Sequence, residues 1–276
     1  MDHSSTLLWN WQSWNDKPFL TCRLLPLPHG FFTRQFYPLT PENLVNALSA
    51  SAEVFRVKQV HSADVMTPTE IEAGIAIGAS ATNEKRPSLP LDLPLALPLA
   101  DGIVSERANQ SVWACSADCT PALVCDVATG QVAAVHAGWR GTAKKILPAA
   151  VLRMIERGSE RQNLRVALGP AIEGVVYQVS EEVACKVGST VAPEYAGDAL
   201  LEYLLGTEHP PLLNDLEEGK IRLDVRRINQ MQMVQIGLSV EQIAIAPHCT
   251  YQEPDKFFSY RRTQEKKVQW AGIVSQ

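Results

Sequence analysis

Short continuous apolar runs constrain the fold of this 276-residue chain more than any other feature of its sequence. They are too short for helices, and most of them lack the strict alternation of a strand with one solvated face. They therefore predict strands that are buried on both faces. The runs are Val54 to Val60, Val112 to Ser116, Ala122 to Cys125, Val132 to Val135, Leu164 to Leu168 and Ile243 to Ala246.

Helical patterns lie among these runs without alternating strictly with them. Apolar residues recur at helical spacing from Ala143 to Ile155, with Thr142 as the predicted N-cap and Gly158 as the stop. Pro148 lies inside this pattern and predicts a kink. Two further helices are predicted over Asp224 to Gly237 and over Ser180 to about Lys186. Because strands and helices do not alternate regularly, the pattern favours an α+β fold over a doubly wound sheet.

The segment from Thr67 to Leu99 interrupts the series of predicted strands. Its second half contains Pro90, Pro94 and Pro98, which prevent regular strand pairing and favour extended conformations. We predict that residues 67–99 form a surface insertion with little regular structure. The insertion is expected to lie within the domain and not to mark a domain boundary.

Composition excludes several classes of protein. The net charge is −5 and the basic clusters are short, so no nucleic-acid partner is expected. No stretch of about eighteen apolar residues occurs, and the N-terminus lacks the pattern of a secretory signal, so we expect a cytoplasmic protein that does not enter a membrane. The six cysteines are too few for a disulfide scaffold in a chain of this length, and most are expected in the core. The sequence gives no indication of oligomeric state.

Three residues with metal-binding side chains follow or end predicted strands, and these are His61, Cys119 and His136. Two imidazoles and one thiolate suit zinc, and three protein ligands leave the open fourth position of a catalytic zinc site. Their spacing alone leaves two alternatives open. Cys119 could be a nucleophile with His136 as its base and Asp118 orienting the imidazole, which describes a metal-free Cys–His hydrolase.

The second alternative is a non-catalytic zinc-binding module. Structural zinc sites usually have four protein ligands, so such a module would need Cys115 or Cys125 to complete the shell. The turn after His136 bears on the choice, because it runs from Gly138 to Gly141 and carries Arg140. Backbone amides at a helix start and a planar guanidinium both bind anions, although Arg140 could equally form a surface ion pair.

Several motifs resemble those of the laccase-domain family, long labelled multicopper polyphenol oxidase. The matching segments are Lys58 to His61, Ala100 to Gly102, Ala117 to Pro121, Val135 to Thr142, Leu168 to Ile172 and Cys249 to Arg262. The resemblance implies one α+β domain over residues 1–276, with packed sheets flanked by helices in an αββα-like sandwich. It also implies that zinc, rather than copper, is bound by His61, Cys119 and His136. We assign substrate binding to Lys58, Gln59, Arg140 and Gly141, and catalytic roles to Cys119, Asp118 and Arg140.

The activity implied by the resemblance is phosphorolysis of purine nucleosides. Members of the family are regarded as purine nucleoside phosphorylases that act on adenosine, inosine, guanosine or methylthioadenosine, with adenosine deaminase as a side activity. The expected partners are therefore a nucleoside and phosphate. Some bacterial members resemble a cytoplasmic peptidoglycan-editing factor that acts on a muropeptide precursor, which is the alternative function. A polyphenol oxidase is disfavoured, because six histidines do not fill a multicopper site.

The chain departs from the family pattern at two places besides the insertion. A glycine-rich loop is replaced by Thr33 to Tyr37, and Glu173 stands where a smaller residue is usual. These departures bear on substrate preference more than on the metal ligands.

Overall fold

Two six-stranded sheets form the centre of the structure, a computed structural model that describes residues 7–83 and 97–276. The strands are β1 (Trp9–Trp14), β2 (Lys17–Cys22), β3 (His29–Phe32), β4 (Glu53–Phe55), β5 (Val65–Met66), β6 (Gly102–Val104), β7 (Gln110–Ser116), β8 (Thr120–Asp126), β9 (Val132–Ala137), β10 (Leu164–Leu168), β11 (Gln178–Ser180), β12 (Leu212–Asn214), β13 (Lys220–Leu223), β14 (Ile243–Ile245) and β15 (Gln269–Val274). The helices are α1 (Pro41–Leu44), α2 (Pro68–Asn83), α3 (Trp139–Ala143), α4 (Ile146–Glu156), α5 (Glu181–Gly188), α6 (Gly197–Leu205), α7 (Val225–Gln235) and α8 (Tyr260–Thr263).

Most neighbouring strands in these sheets are antiparallel. The first sheet has the order β1-β2-β3-β15-β7-β4, and the second has the order β14-β10-β8-β9-β6-β5. Parallel pairs occur between β4 and β7, between β5 and β6, and between β10 and β14. A third sheet of three strands has the order β11-β13-β12. The mixture of sheets and helices is the α+β fold that the sequence predicts.

Alternation along β8 shows how the layers pack. Leu123 and Cys125 lie in the core shared with the first sheet, while Val124 lies in a second core with Leu147 and Val151 of α4. Successive side chains of a strand point to opposite faces, so one continuous apolar run fills both cores. The two large sheets therefore pack face to face, and α4 covers the outer face of the second.

Two smaller clusters complete the packing. Phe32 and Trp113 on the outer face of the first sheet pack with Leu44 of α1. The three-stranded sheet packs with α5, α6 and α7 around Leu204 and Leu223. Helices thus lie outside both large sheets, as expected for an αββα-like sandwich.

The predicted strands are found, with one of them shortened. The run from Val54 to Val60 gives a strand that ends at Phe55, followed by an isolated bridge between Lys58 and Leu99. Strands β1, β2, β3 and β15 were not predicted, because their apolar residues are interspersed with polar, proline and glycine residues. The helices that begin after Ser180 and Asp224 are confirmed, and the side chains of both residues cap their helices.

The helix predicted across Ala143 to Ile155 is in fact two helices. Thr142 lies inside α3, whose N-cap is Gly138, so its predicted capping role is wrong. Lys145 adopts a left-handed conformation and separates α3 from α4. Pro148 falls in the first turn of α4, where its missing amide is not needed, so no kink arises. Gly158 ends the helix with φ of 104°, as predicted.

The expectation of little regular structure in residues 67–99 is wrong for its first half. Helix α2 spans Pro68–Asn83, and Ile71 is 2% exposed in the core between the sheets. The prolines that suggested irregular structure all lie after this helix. Residues 84–96 lie outside the described residues. None of the helices in the described ranges combines the length and apolar character needed to cross a bilayer.

Candidate metal centre

His61, Cys119 and His136 converge in the folded chain. One potential ligand atom from each lies within 4.8 Å of the others, and the two imidazole rings are 4.9 Å apart. His61 follows β4, Cys119 lies between β7 and β8, and His136 lies in β9. Since β8 and β9 are paired, Pro121 lies opposite His136, which brings the turn with Cys119 close to the histidine. The structure therefore assembles the predicted ligand set from three separate segments.

The backbone around His61 is fixed by a residue that was not singled out from the sequence. The carboxylate of Asp101 accepts hydrogen bonds from the amides of Val60, His61 and Ser62 at 3.1, 3.0 and 2.6 Å. His61 itself has φ of 60°, a left-handed conformation that costs free energy in a non-glycine residue. The three hydrogen bonds to Asp101 offset that cost and hold the imidazole toward the other ligands.

The same Asp101 side chain orients His136. Its Oδ1 lies 2.8 Å from Nδ1 of His136, and both side chains are buried. Burial would raise the pKa of Asp101, but the hydrogen bonds from His136, Ser62 and Val60 lower it to about 2. The carboxylate therefore accepts the Nδ1 proton, so that Nε2 is the nitrogen of His136 that could bind a metal in exchange for a proton. A metal-binding histidine commonly has such a partner.

Charge on Cys119 is stabilised by its neighbours. Burial would raise the pKa of Cys119, yet the charges and hydrogen bonds of His136 and His61 lower it to about 6. Burial would lower the pKa of His136, but Cys119 and Asp101 raise it to about 9. The site thus favours a thiolate, which is the form of cysteine that binds metals.

Gly138 leaves the space that this ligand set requires. A Cβ atom built on Gly138 would lie 2.7 Å from Sγ of Cys119 and 3.3 Å from Cδ2 of His61. Two imidazole nitrogens, a stabilised thiolate, an orienting carboxylate and a wall without a side chain fit a zinc ion. The tight turn predicted at Gly138 did not indicate this close approach.

The candidate fourth ligands do not join the group. Within the described residues, the cluster of potential metal ligands contains three members only. Cys125 is buried in the core between the sheets, and burial raises the pKa of Cys115 and of Cys125 to about 12. Each of the six cysteines lies in a described segment, and all are free thiols. The geometry therefore offers a three-ligand centre with one open position.

The two proposed substrate contacts in the Lys58 to His61 motif, Gln59 and Lys58, have different surroundings in the structure. Both ends of the Gln59 side-chain amide bond the backbone of Cys115, at 2.7 and 2.8 Å. These two hydrogen bonds hold Gln59 beside β7, and its assignment to substrate binding stays a prediction. Lys58 is exposed, and its backbone bonds Pro98 and Ala100. A substrate contact of Lys58 stays a prediction.

Asp118 does not orient the imidazole of His136, since Asp101 occupies that position. The carboxylate of Asp118 instead accepts hydrogen bonds from Oγ1 of Thr250 and from the amide of Arg261, each at 2.7 Å. Asp118 has φ of 95°, and these bonds hold its strained turn next to Cys119. Sequence alone cannot distinguish between two aspartates whose distances from His136 depend on the fold.

The turn from Gly138 to Gly141 was predicted to bind an anion through backbone amides and Arg140, and the structure changes the part played by the amides. Helix α3 begins at Trp139, so the amides after Gly141 are already bonded within the helix, as Thr142 to Gly138 at 2.8 Å shows. Those amides therefore cannot hold an anion, and Gly141 itself is buried. Arg140 is exposed, with its guanidinium carbon 4.4 Å from the centre of the Trp139 ring.

The two departures from the family pattern have structural partners. Glu173 lies 3.6 Å from the buried guanidinium of Arg226, which also binds Asp224 at 2.9 Å. In the segment that replaces the glycine-rich loop, Phe36 is buried and Arg34 lies over the ring of Phe258. Both departures are thus absorbed by packing and ion pairing within the chain.

Comparison with known proteins places these features in context. A family described as multi-copper polyphenol oxidoreductase laccase matches residues 41–275. A Synechocystis protein named purine nucleoside phosphorylase slr1573 is 48% identical over 272 residues, which cover 97% of each chain. A protein from an unknown prokaryotic organism named adenosine deaminase RL5 is 29% identical over 167 residues, 60% of this chain and 58% of that one.

Solved structures share the fold. The crystal structure of YlmD from Geobacillus stearothermophilus superposes with a TM-score of 0.73 at 24% identity, covering 96% of this chain and 98% of that one. At this level of identity the likeness concerns the fold alone. It agrees with the α+β arrangement described above.

Proposed function

This chain belongs to the multi-copper polyphenol oxidoreductase laccase family, and on that premise we propose that it is a zinc-dependent purine nucleoside phosphorylase. The observation that carries the proposal is the convergence of His61, Cys119 and His136 into a three-ligand centre without a fourth protein ligand among the described residues. The relative that is 48% identical along nearly the whole chain bears the same functional name. The proposed substrates are adenosine, inosine, guanosine or methylthioadenosine, together with phosphate.

The metal is proposed to be zinc, with His61, Cys119 and His136 as its ligands. A zinc ion bound there would supply a Lewis acid able to polarise an oxygen atom of a reactant. Asp101 keeps the Nδ1 proton on His136, so that Nε2 remains available as a ligand atom. Gly138 keeps the space beside Cys119 open.

Arg140 is the proposed phosphate contact of this centre. Its guanidinium is exposed and stacked on Trp139, which limits the side-chain entropy that phosphate binding would cost. Phosphorolysis breaks the bond between C1′ of the ribose and the purine nitrogen and forms a bond from C1′ to a phosphate oxygen. The departing purine takes up a proton. A positioned phosphate is therefore both the nucleophile and an electrostatic partner for the positive charge that develops on the sugar.

Adenosine deamination is a second proposed activity of the same pocket. It rests on the similarity to a protein named adenosine deaminase. Water would then take the place of phosphate, and ammonia would leave from C6 of the base.

We also propose a cytoplasmic location, as the sequence predicts.

The test incubates the purified protein with adenosine and with inosine, each with and without phosphate, and resolves the products. We expect phosphate-dependent release of adenine or hypoxanthine together with ribose 1-phosphate. Arg140→Ala should raise the KM for phosphate more than it slows deamination measured without phosphate. If neither nucleoside is consumed but a muropeptide precursor is hydrolysed, the peptidoglycan-editing alternative replaces this proposal.

A further inference from the structure

The backbone of a second arginine, Arg261, is hydrogen-bonded to Asp118, the residue that precedes the proposed ligand Cys119. The Oδ2 of Asp118 accepts the backbone amide of Arg261 at 2.7 Å, while Oδ1 accepts the hydroxyl of Thr250. Asp118 is 8% exposed and immediately precedes Cys119. The carboxylate of Asp118 therefore binds the backbone of Arg261 and the side chain of Thr250. Among the described residues, no hydrogen bond joins this carboxylate to the guanidinium of Arg261.

The guanidinium of Arg261 is held in place by two other contacts. Its central carbon lies 4.8 Å from the centre of the Tyr177 ring, and Nη1 donates to the carbonyl of Gln178 at 2.9 Å. A guanidinium carries five N–H donors, and within residues 7–83 and 97–276 this is the one hydrogen bond found for it. The exposed side chain thus presents a fixed charge with several donors remaining.

The adjacent Arg262 shows the contrast. Its guanidinium donates to three backbone carbonyls, those of Thr250, Tyr251 and Phe257, at 2.6 to 2.7 Å. Those bonds stabilise the surrounding loop and occupy most of its donors. Of the two consecutive arginines, Arg262 is structural, and Arg261 is free to bind a ligand.

Tyr177, under Arg261, and Trp139, under Arg140, both pack against the apolar cluster around Leu204 and Leu223. Burial raises the pKa of Tyr177 to about 12, and the negative charges of Cys119 and Asp118 act in the same direction. Arg261 and Arg140 act in the opposite direction on the same hydroxyl. The charges of Cys119 and of both guanidinium groups thus act on one hydroxyl, and the rings on which the two guanidinium groups lie pack against one apolar cluster.

We propose that Arg261, positioned by Asp118 and Tyr177, is a second anion-binding residue of the metal centre and binds an oxyanion of the phosphate class together with Arg140. This inference rests on the proposed function, for which it supplies the other half of the phosphate site. Each guanidinium is stacked on an aromatic ring, so its planar fork is oriented before the ligand arrives. Phosphate has more oxygens than a carboxylate to engage two such forks, so we expect it to bind more tightly than acetate.

The test is calorimetric titration of inorganic phosphate, and separately of acetate, into the zinc-loaded protein. Arg261→Ala should weaken phosphate binding at least tenfold, and Arg261→Lys by less, because an ammonium keeps the charge without the fork. The control is Arg107→Ala, since Arg107 is an exposed arginine paired with Glu53 before β7. Tyr177→Phe keeps the stacking ring and should bind phosphate as the unmodified protein does, whereas Tyr177→Ala should weaken binding severalfold.

Zinc content and thermal unfolding of each variant show whether it is folded and loaded. The inference is overturned if loaded Arg261→Ala binds phosphate as the unmodified protein does, if acetate binds as tightly as phosphate, or if the unmodified protein binds no phosphate. The proposed function fails separately. Phosphate binding that depends on Arg261 in a protein that consumes no nucleoside would support this site and reject the phosphorylase. Phosphorolysis with an unchanged phosphate KM in Arg261→Ala would support the phosphorylase and reject Arg261 as part of its phosphate site.

Discussion

Asp101 and His136 are joined twice, once through their side chains and once through their backbones. Oδ1 of Asp101 lies 2.8 Å from Nδ1 of His136, and the amide of His136 donates to the carbonyl of Asp101 at 2.8 Å. Because the same carboxylate also binds the amide of His61, one buried side chain fixes two of the three proposed ligands. The geometry of the centre therefore depends on a residue that need not touch the metal.

The first prediction separates the metal centre from a cysteine nucleophile. Protein purified without added metal should contain about one zinc per chain. His61→Ala should lose the zinc, because two remaining protein ligands are too few to hold it. Elemental analysis by mass spectrometry measures this, with the exposed His209 changed to Ala as control. A metal-free enzyme that is active and is inactivated by thiol alkylation would instead support the Cys–His hydrolase.

The second prediction concerns Asp101. Asp101→Asn keeps the size of the side chain but removes the negative charge that holds Nδ1 of His136 and three backbone amides. Zinc affinity should fall about 10- to 100-fold, which is typical when a residue that hydrogen-bonds a metal-binding histidine is replaced. Competition with a chromophoric chelator measures the affinity. Asp64→Asn, at an exposed neighbouring carboxylate, should leave it unchanged.

The third prediction uses the space beside Gly138. In Gly138→Ala the added Cβ would lie 2.7 Å from Sγ of Cys119, so either the sulfur or the turn must shift. We expect a folded protein with greatly reduced zinc content. Gly206→Ala is the matched control, because its Cβ would meet its nearest neighbour at 3.4 Å. Normal zinc binding by Gly138→Ala would contradict the proposed ligand geometry.

The fourth prediction is a pH dependence of stability. His29 is buried as the neutral form, with Nε2 accepting the amide of Cys22 and Nδ1 donating to the carbonyl of Leu27, both at 2.7 Å. Burial lowers the pKa of His29 below its ordinary 6.5, so below that pH the unfolded chain binds a proton that the folded chain does not. The contribution of His29 is therefore complete above pH 6.5 and is lost as the pH falls toward the folded-state pKa.

Urea unfolding of the protein and of His29→Gln from about pH 7.5 to about pH 5.5 measures this contribution. The unmodified protein should lose up to about 1.4 kcal/mol per pH unit more than His29→Gln in the lower part of that range. His209→Gln, at an exposed histidine, should keep the full dependence. Equal slopes in the protein and in His29→Gln would show that His29 takes up a proton in the folded state.

The fifth prediction tests whether α2 belongs to the core. Ile71→Ala should lower the free energy of unfolding by about 2–5 kcal/mol, since it removes buried methyl groups and leaves a cavity. Glu72→Ala, one position along on the exposed side, should change the free energy of unfolding little.

Deleting residues 84–96, the second part of the predicted insertion, should preserve both the fold and zinc binding. An unfolded deletion protein would show that this part of the insertion contributes to the core.

Particular residues show how far the sequence could lead. The apolar runs predicted β8, β9 and β10, because a strand buried on both faces requires apolar residues at every position. Capping by Ser180 and Asp224 was predictable, since it involves residues only a few positions apart. The break at Lys145 was not predictable, because the apolar spacing continues through it and only backbone conformation separates α3 from α4.

Local sequence patterns predicted the α+β class, half of the strands in the two large sheets and three side chains that suit a zinc ion. The folded chain was needed to show that Asp101 rather than Asp118 supports His136, and that Gln59 bonds Cys115. It was also needed to show that Arg261 meets the turn before Cys119. The reason is physical, since local patterns report contacts between residues near in the chain. The partners of a buried carboxylate are set by which distant segments the packed sheets bring together.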